Sequence, residues 1–284
     1  MIRIAIPNKG RLHDPSLNLF AEAGLPILGG GNRKLFSKTQ DPEISVLFAR
    51  AADIPEYVQD GAADVGITGL DMIEESGSSV ELMLDLNFGH ADLVLAIPEN
   101  VKANSPEDLE KFRVATEFPH IAKKYFQDKK VSVEIINVSG ACEITPHIGV
   151  ADAIIDISSS GTTLMMNKLK VIDTVYSSSV YLISNRNSLR EKKKIAHIRS
   201  ALESVLRAKG KRYLMMNVPS ESLNYVKKVL PGMSGPTVMK VESDASIVAV
   251  HAVIDSDSIF SIVNNLKEAG AKDILVVPIE RMMP

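Results

Sequence analysis

Ala151-Asp152-Ala153-Ile154-Ile155-Asp156-Ile157-Ser158-Ser159-Ser160-Gly161-Thr162-Thr163-Leu164 is the stretch on which the fold turns. It begins as an apolar, β-branched run and reads as a buried strand. Three serines, a glycine and two threonines interrupt it, and Leu164-Met165-Met166-Asn167-Lys168-Leu169 then reads as helix. Strand, small hydroxylated loop and helix start together make an anion site. Backbone N–H groups at a helix N-terminus have no intrahelical partner, and the dipole there favours negative charge. Gly161 permits a positive φ or a close backbone approach. The hydroxyls of Ser158, Ser159, Ser160, Thr162 and Thr163 add donors. The loop lacks the Gly-Lys-Ser/Thr ending of a P-loop and the G-x-G-x-x-G spacing of a dinucleotide fold. Its distinguishing feature is the acid ahead of it. Asp156 ends the strand, and Asp152 shares its face by even spacing. A carboxylate beside a phosphate repels it, but one sugar away it can hold ribose hydroxyls or a bridging Mg²⁺. The pattern fits a ribose carrying a 5′-phosphate. A Ser/Thr turn that merely caps a helix explains the loop equally well.

Outward from this unit, strands and helices alternate. Ile2, Ile4 and Ile6 give a first strand, and Pro7-Asn8-Lys9-Gly10-Arg11 follows as a loop rich in turn residues and positive charge. Lys9 and Arg11 beside Gly10 suit an anion; an ordinary exposed turn is the other reading. Asp14-Pro15 reads as an N-cap with proline at N1, and Gly24 as the glycine past the helix end. Ile44 to Phe48 is a second strand ending at Arg50, and residues 53–60 form a short helix stopped by Gly61. Residues 64–69 are a third strand, joined at Thr68-Gly69-Leu70-Asp71 to a helix over 70–75. Open α/β sheets bind ligands at such corners, although Asp71 taken alone reads as an N-cap. Strands are expected at 82–86, 93–97, 113–116 and 131–138, with helices after Ser105-Pro106, from Pro119 to Phe126, and over 144–150. Two β-rich pieces around Ser177-Ser178-Ser179 lead the chain back to the first lobe. Ser188-Leu189-Arg190-Glu191 reads as a capping box opening one long helix to Gly210. Residues 211–284 then show their own βαββαβ order, the split ferredoxin-like plan, with no catalytic loop.

The composition bounds the class. The 284 residues suit two or three domains. Hydrophobic residues at 45% and charged residues at 24% are ordinary for a globular protein. A net charge of −3 without a long basic block argues against nucleic acid as a partner. Lys192-Lys193-Lys194 reads as a solvated helix face. Cys142 is the single cysteine, so neither an internal disulfide nor a thiolate zinc cluster is expected. The six histidines show no ligand spacing. The first residues lack a signal-peptide core, and no apolar run has membrane-spanning length. A cytoplasmic protein with no membrane association is expected.

Residues Glu143 to Leu164 closely resemble the phosphoribosyl-diphosphate signature of the ATP phosphoribosyltransferases, which open histidine biosynthesis. Residues 7–12 and 63–71 resemble the same family's N-terminal blocks, and the resemblance covers essentially the whole chain. Because residues 211–284 are present, it points to the long, self-sufficient, histidine-regulated form. The resemblance implies two α/β lobes like type II periplasmic binding proteins: lobe I from residues 1–95 and 180–210, lobe II from 96–179. A ferredoxin-like regulatory domain over 211–284 follows them. It implies transfer of the phosphoribosyl group to N1 of the ATP adenine, with Mg²⁺ on the departing diphosphate. Residues 158–163 would hold the 5′-phosphate, and Asp156, with Asp152 or Glu143, would address the ribose or Mg²⁺. Lys9, Arg11 and Arg50 would meet anionic groups, with Lys9, Arg11 and Asp156 closest to the chemistry, and Asp71 would sit near the adenosine. Histidine as inhibitor would be lined by Asn217, Thr237, Val253 and Asp273, and the family assembles as homodimers and homohexamers. A bilobal binding or sensor protein without catalysis is the alternative, and a C-terminal domain serving assembly alone is another.

Overall fold

In the computed structural model the described residues are 1–28, 35–158, 161–230, 235–242 and 244–283. They form two compact units, Met1–Arg199 and Ser200–Pro284. The first unit begins with β1 (Ile2–Pro7), α1 (His13–Glu22), β2 (Ile27–Leu28), β3 (Phe36–Thr39) and β4 (Ile44–Ala49). It continues with α2 (Ile54–Gln59), β5 (Val65–Gly69), α3 (Leu70–Ser76) and β6 (Glu81–Asp85). Then come β7 (Ala91–Pro98), β8 (Arg113–Thr116), α4 (Pro119–Lys129), β9 (Glu134–Asn137), β10 (Ala153–Ser158), α5 (Thr162–Met166) and β11 (Leu169–Ser178). β12 (Val180–Ser184) and α6 (Arg186–Glu191) follow, and α7 (Lys194–Ala208) begins in the first unit and ends in the second.

Two sheets make up this unit. One has the order β2-β3-β4-β1-β5-β12-β6 and the other β11-β7-β10-β8-β9. β4, β1 and β5 are parallel, as are β10, β8 and β9, so the C-terminal ends within each set share one sheet edge. The chain passes to the second sheet after β6 and returns through β11 to β12. This exchange gives the bilobal plan of type II periplasmic binding proteins. β10 explains its own composition. Ala153 and Ile155 join Leu93, Leu95, Phe118 and Ile121 on one face, while Ile154 joins Val94, Ala96, Cys142 and Leu164 on the other. A strand buried on both faces needs apolar residues without alternation. The run stays apolar until Asp156.

The second unit carries β13 (Lys211–Pro219), α8 (Leu223–Val229), β14 (Thr237–Lys240), β15 (Ile247–Asp255), α9 (Ile259–Glu268) and β16 (Lys272–Pro278). The order β14-β15-β13-β16, antiparallel throughout, is the ferredoxin-like arrangement. Leu214, Met216 and Val218 pack with Val250, Ala252 and Ile254 against Val226, Ile262 and Leu266 of the two helices.

Several local expectations are corrected. Asn185 is the N-cap of α6, accepting from the N–H groups of Asn187 and Ser188. Ser188 builds no capping box, because its hydroxyl donates to buried Asp64 at 2.5 Å. One long helix is replaced by α6 and α7, which break at Lys192 and Lys193. The lysine run is more than a solvated face: Lys192 pairs with Asp64 at 2.6 Å and Lys194 with Asp41 at 2.6 Å. In place of a helix over 144–150, turns over 145–149 follow a short 3-10 segment at Cys142–Ile144. α1 starts at His13 rather than after an Asp14 cap. β2 and β3 were not expected; short edge strands carry little periodicity. β7 lies wholly in the second sheet, so the first crossing falls in residues 86–90, ahead of residue 95.

Candidate active site

β10 carries Asp156 near its C-terminal end and runs on through Ile157 to Ser158. Gly161 is in the left-handed region, with φ 71°, at the N-cap of α5. Its N–H donates to Ser158 Oγ at 3.1 Å, which closes the loop on itself. A Cβ at Gly161 would meet nothing within 4 Å, so backbone conformation alone demands glycine here. Thr162 and Thr163 are exposed at the helix start. Ser159 and Ser160, both expected to bind phosphate, lie outside the described residues.

The same end of the strand collects acids. Glu117 follows β8, and Glu143 sits in the 3-10 turn between β9 and β10. The Cys142 thiol donates to the Ala115 carbonyl at 3.1 Å and fixes that turn against β8. Burial pushes the Asp156 carboxyl up to about 6, and the charges of Glu143 and Glu117 add to the rise. The Ile157 N–H, donating to Oδ1 at 2.7 Å, works the other way. A carboxylate this poorly solvated gains from any cation placed beside it. Glu117 was missed by sequence reasoning; it is brought in by the parallel pairing of β8 with β10.

Asp152 does not join this group. It precedes β10, at the end of the strand away from the loop, about 13 Å from Asp156 by the rise of four strand residues. Its carboxylate takes the Arg113 Nε at 3.1 Å, Nη2 at 2.8 Å and backbone N–H at 2.9 Å. The Arg113 guanidinium holds it below the usual carboxylate range. Even spacing put both acids on one face, but it did not make them neighbours. A cavity of about 850 Å³ opens at this far end, lined by His147, Asp152 and Lys168 among others, away from the loop.

On the first sheet, Pro7 of β1 pairs with Ala49 of β4, so Lys9, Arg11 and Arg50 follow neighbouring strand ends. All three are exposed and without ion-pair or side-chain hydrogen-bond partners among the described residues. Unpaired cations at such an edge are suited to anionic groups. Asp71, in the first turn of α3, is only 1% exposed. Oδ1 accepts from Ser178 Oγ and from the Met72 N–H, while Oδ2 is buried with no partner among the described residues. An orphaned carboxylate oxygen costs roughly 1–3 kcal/mol or more until a donor reaches it. The expected N-cap role is not observed; Gly69 is the cap residue. No group of three His, Cys, Asp or Glu able to hold a metal stands among the described residues.

In the second unit, Asn217 donates to Asp273 Oδ2 at 3.0 Å. Thr237 stands opposite His251, and Val253 opposite Tyr213. The structure therefore brings Asn217 and Asp273 together. It leaves Val253 about 13 Å along the strands from Asn217 by strand rise. No helix of the described residues is long and apolar enough to cross a membrane.

The model of the family described as "ATP phosphoribosyltransferase" matches residues 50–204, and "HisG, C-terminal domain" matches residues 208–281. An ATP phosphoribosyltransferase of Methanococcoides burtonii is 65% identical over 284 residues, all of both chains. That of Methanosarcina barkeri is 67% identical over 289 aligned positions, again covering both chains fully. Among solved structures, the chain is similar to one from the "ATP phosphoribosyl transferase (HisG:HisZ) complex" of Thermotoga maritima. The TM-score is 0.65 at 28% identity, covering 73% of this chain and 99% of that one.

Proposed function

The chain belongs to the ATP phosphoribosyltransferase family, in its long form with the C-terminal domain, and from this premise we propose how its residues divide the work. The reaction joins ATP to phosphoribosyl diphosphate in the first step of histidine biosynthesis. The adenine N1–C1 bond forms as the bond from C1 to the diphosphate breaks, giving phosphoribosyl-ATP. The reacting carbon becomes oxocarbenium-like, so positioning and charge control matter more than a protein nucleophile. Residues 158–163 hold the 5′-phosphate, with backbone donors supplied by the turn at Gly161. Asp156, assisted by Glu143, faces the ribose and offsets the positive charge at C1. Lys9 and Arg11 steady the diphosphate and the triphosphate, Arg50 the ATP phosphates, and Asp71 the nucleoside. Asp152 is left to the framework by its bonds to Arg113.

The family uses a divalent metal. Asp156 would be the residue to hold Mg²⁺ brought in with the diphosphate, and the ion would supply charge neutralisation for the leaving group. The lobes are residues 1–86 with 180–199 and residues 91–178, and the regulatory domain begins near residue 211. Histidine binds that domain through Asp273 and Asn217 and inhibits from there, Thr237 and Val253 contributing from farther along the sheet. The chain works in the cytoplasm as a homodimer that assembles into a homohexamer. The observation that carries this reading is the poorly solvated Asp156 one turn ahead of the Gly161 loop. A non-catalytic bilobal binder is not favoured. The test mixes the protein with ATP, phosphoribosyl diphosphate and Mg²⁺ and follows the product's near-ultraviolet absorbance. No absorbance change with active controls would sink it.

A further inference from the structure

Ser178 ends β11, the strand that returns the chain from the second sheet to the first. It is 5% exposed, and its hydroxyl is used twice at the start of α3. It donates to Asp71 Oδ1 at 2.9 Å and accepts from the Asp71 N–H at 3.1 Å. The Met72 N–H also donates to Oδ1, at 3.0 Å. One carboxylate oxygen therefore has two donors and the other, Oδ2, has none among the described residues. The carboxylate is unable to turn and exchange its oxygens without breaking both bonds. Gly69 completes the fit, since a Cβ there would lie 2.0 Å from Asp71 Oδ1. Next to this bond, the Leu70 N–H donates to the Ser179 carbonyl at 2.9 Å.

These bonds cross between lobes. Asp71 belongs to the helix after β5 of the first sheet, and Ser178 to a strand of the sheet that carries the phosphate loop. Farther along α3, Glu75 accepts from the His120 and Ile121 N–H groups at the start of α4, and Glu74 pairs with Lys124 at 2.5 Å. α3 is thus tied along its length to the second lobe.

We propose that Ser178 is a positioning residue of the transfer reaction: it fixes the Asp71 carboxylate so that Oδ2, covered here and without a donor among the described residues, takes one from the nucleoside half of ATP once α3 shifts to uncover it. The proposal rests on the reading of Asp71 as part of the ATP site. A carboxylate only accepts, so the recognised group is a hydroxyl or amino donor. The hydroxyl of Ser178 refers the nucleoside position to the lobe that holds the other substrate.

The test compares Ser178→Ala, Ser178→Thr and Asp71→Asn in the full chain by KM for each substrate. Ser178→Ala is expected to raise the ATP KM about tenfold, with the phosphoribosyl diphosphate KM changed less than about twofold, as for one lost bond to a charged group. Ser178→Thr restores the ATP KM, and Ser178→Ala adds little on top of Asp71→Asn, because both remove one coupled unit. If Ser178→Ala does not fold, Ser178→Cys, which keeps the shape with a weak donor, is read the same way. An ATP KM that responds to Asp71→Asn but not to Ser178→Ala overturns the role of Ser178 and leaves the ATP site standing. Equal rises in both KM values overturn it as well, as a purely structural effect. An ATP KM indifferent to Asp71→Asn removes the ATP-site reading itself.

Discussion

Arg113 closes on Asp152 with two side-chain nitrogens and its own backbone N–H, tying the start of β8 to the start of β10. The Asp152 N–H returns a bond to the Arg113 carbonyl at 2.8 Å. The pair therefore sets the register of the strand that presents Asp156, at the end of that strand away from the loop.

Asp152→Asn should accordingly affect stability and leave substrate binding nearly untouched. Arg113 lowers the Asp152 pKa, so this contribution is present above the ordinary carboxylate range and fades as pH falls toward and below it. The pair is partly exposed and screened, so the expected loss is a few degrees of Tm at pH 7, shrinking in acid. Thermal melts at pH 7 and pH 3.5 measure it. A large rise in the phosphoribosyl diphosphate KM would instead return Asp152 to the ribose.

Asp156 has the opposite sign. Burial raises its folded pKa from the ordinary carboxylate range to about 6, so its ionisation opposes folding. Stability from this group is full below the unfolded pKa and is lost as pH rises through about 6. The penalty above that is about 3 kcal/mol, from roughly two pKa units at 1.36 kcal/mol each. Asp156→Asn should be more stable than the parent at pH 7.5 and match it near pH 3.5, while losing most turnover. Urea unfolding of both proteins across that range decides the stability part; a difference independent of pH would contradict the assignment.

At Gly161 the strain is conformational. Ala in the left-handed region costs about 1–2 kcal/mol, and a β-branched residue more. Gly161→Ala should weaken phosphoribosyl diphosphate binding roughly tenfold or more by that cost. Gly161→Val should abolish it with the fold retained, since the space around the position is open. Titration calorimetry with each substrate separates the loop from the ATP side. Unchanged affinity in Gly161→Val would exclude the loop from the site.

Asp273 adopts φ 51°, a conformation that Asn also tolerates. Asp273→Asn should keep the turn and lose the charge offered to a histidine ammonium group. Half-inhibition by histidine is expected to shift upward about tenfold or more, as for a charge-assisted bond. Basal turnover should stay unchanged. Steady-state inhibition curves on the full chain give the answer. Competition between histidine and phosphoribosyl diphosphate, or equal inhibition of both proteins, would refute the regulatory reading.

The order of elements was legible in the sequence because burial periodicity is a local property. The apolar run of 153–155 announced a buried strand, and the βαββαβ succession after Gly210 announced the ferredoxin-like unit. The need for glycine at 161 was legible too, since a left-handed backbone position is a local demand. Partnerships across the chain were not. Asp64 takes the hydroxyl of Ser188, Asp152 takes Arg113, and Asp71 takes Ser178. Each choice depends on which strand ends the sheets bring side by side. Residue types alone made Ser188 a capping serine, and named no partner for Asp152 or Asp71. Hydrogen bonds and charge act over a few ångströms in space and take no account of separation along the chain. The sequence by itself determined the units and the chemistry available at each strand end. Only the tertiary structure decided which polar group answers which, because that depends on distances between strand ends far apart in the chain.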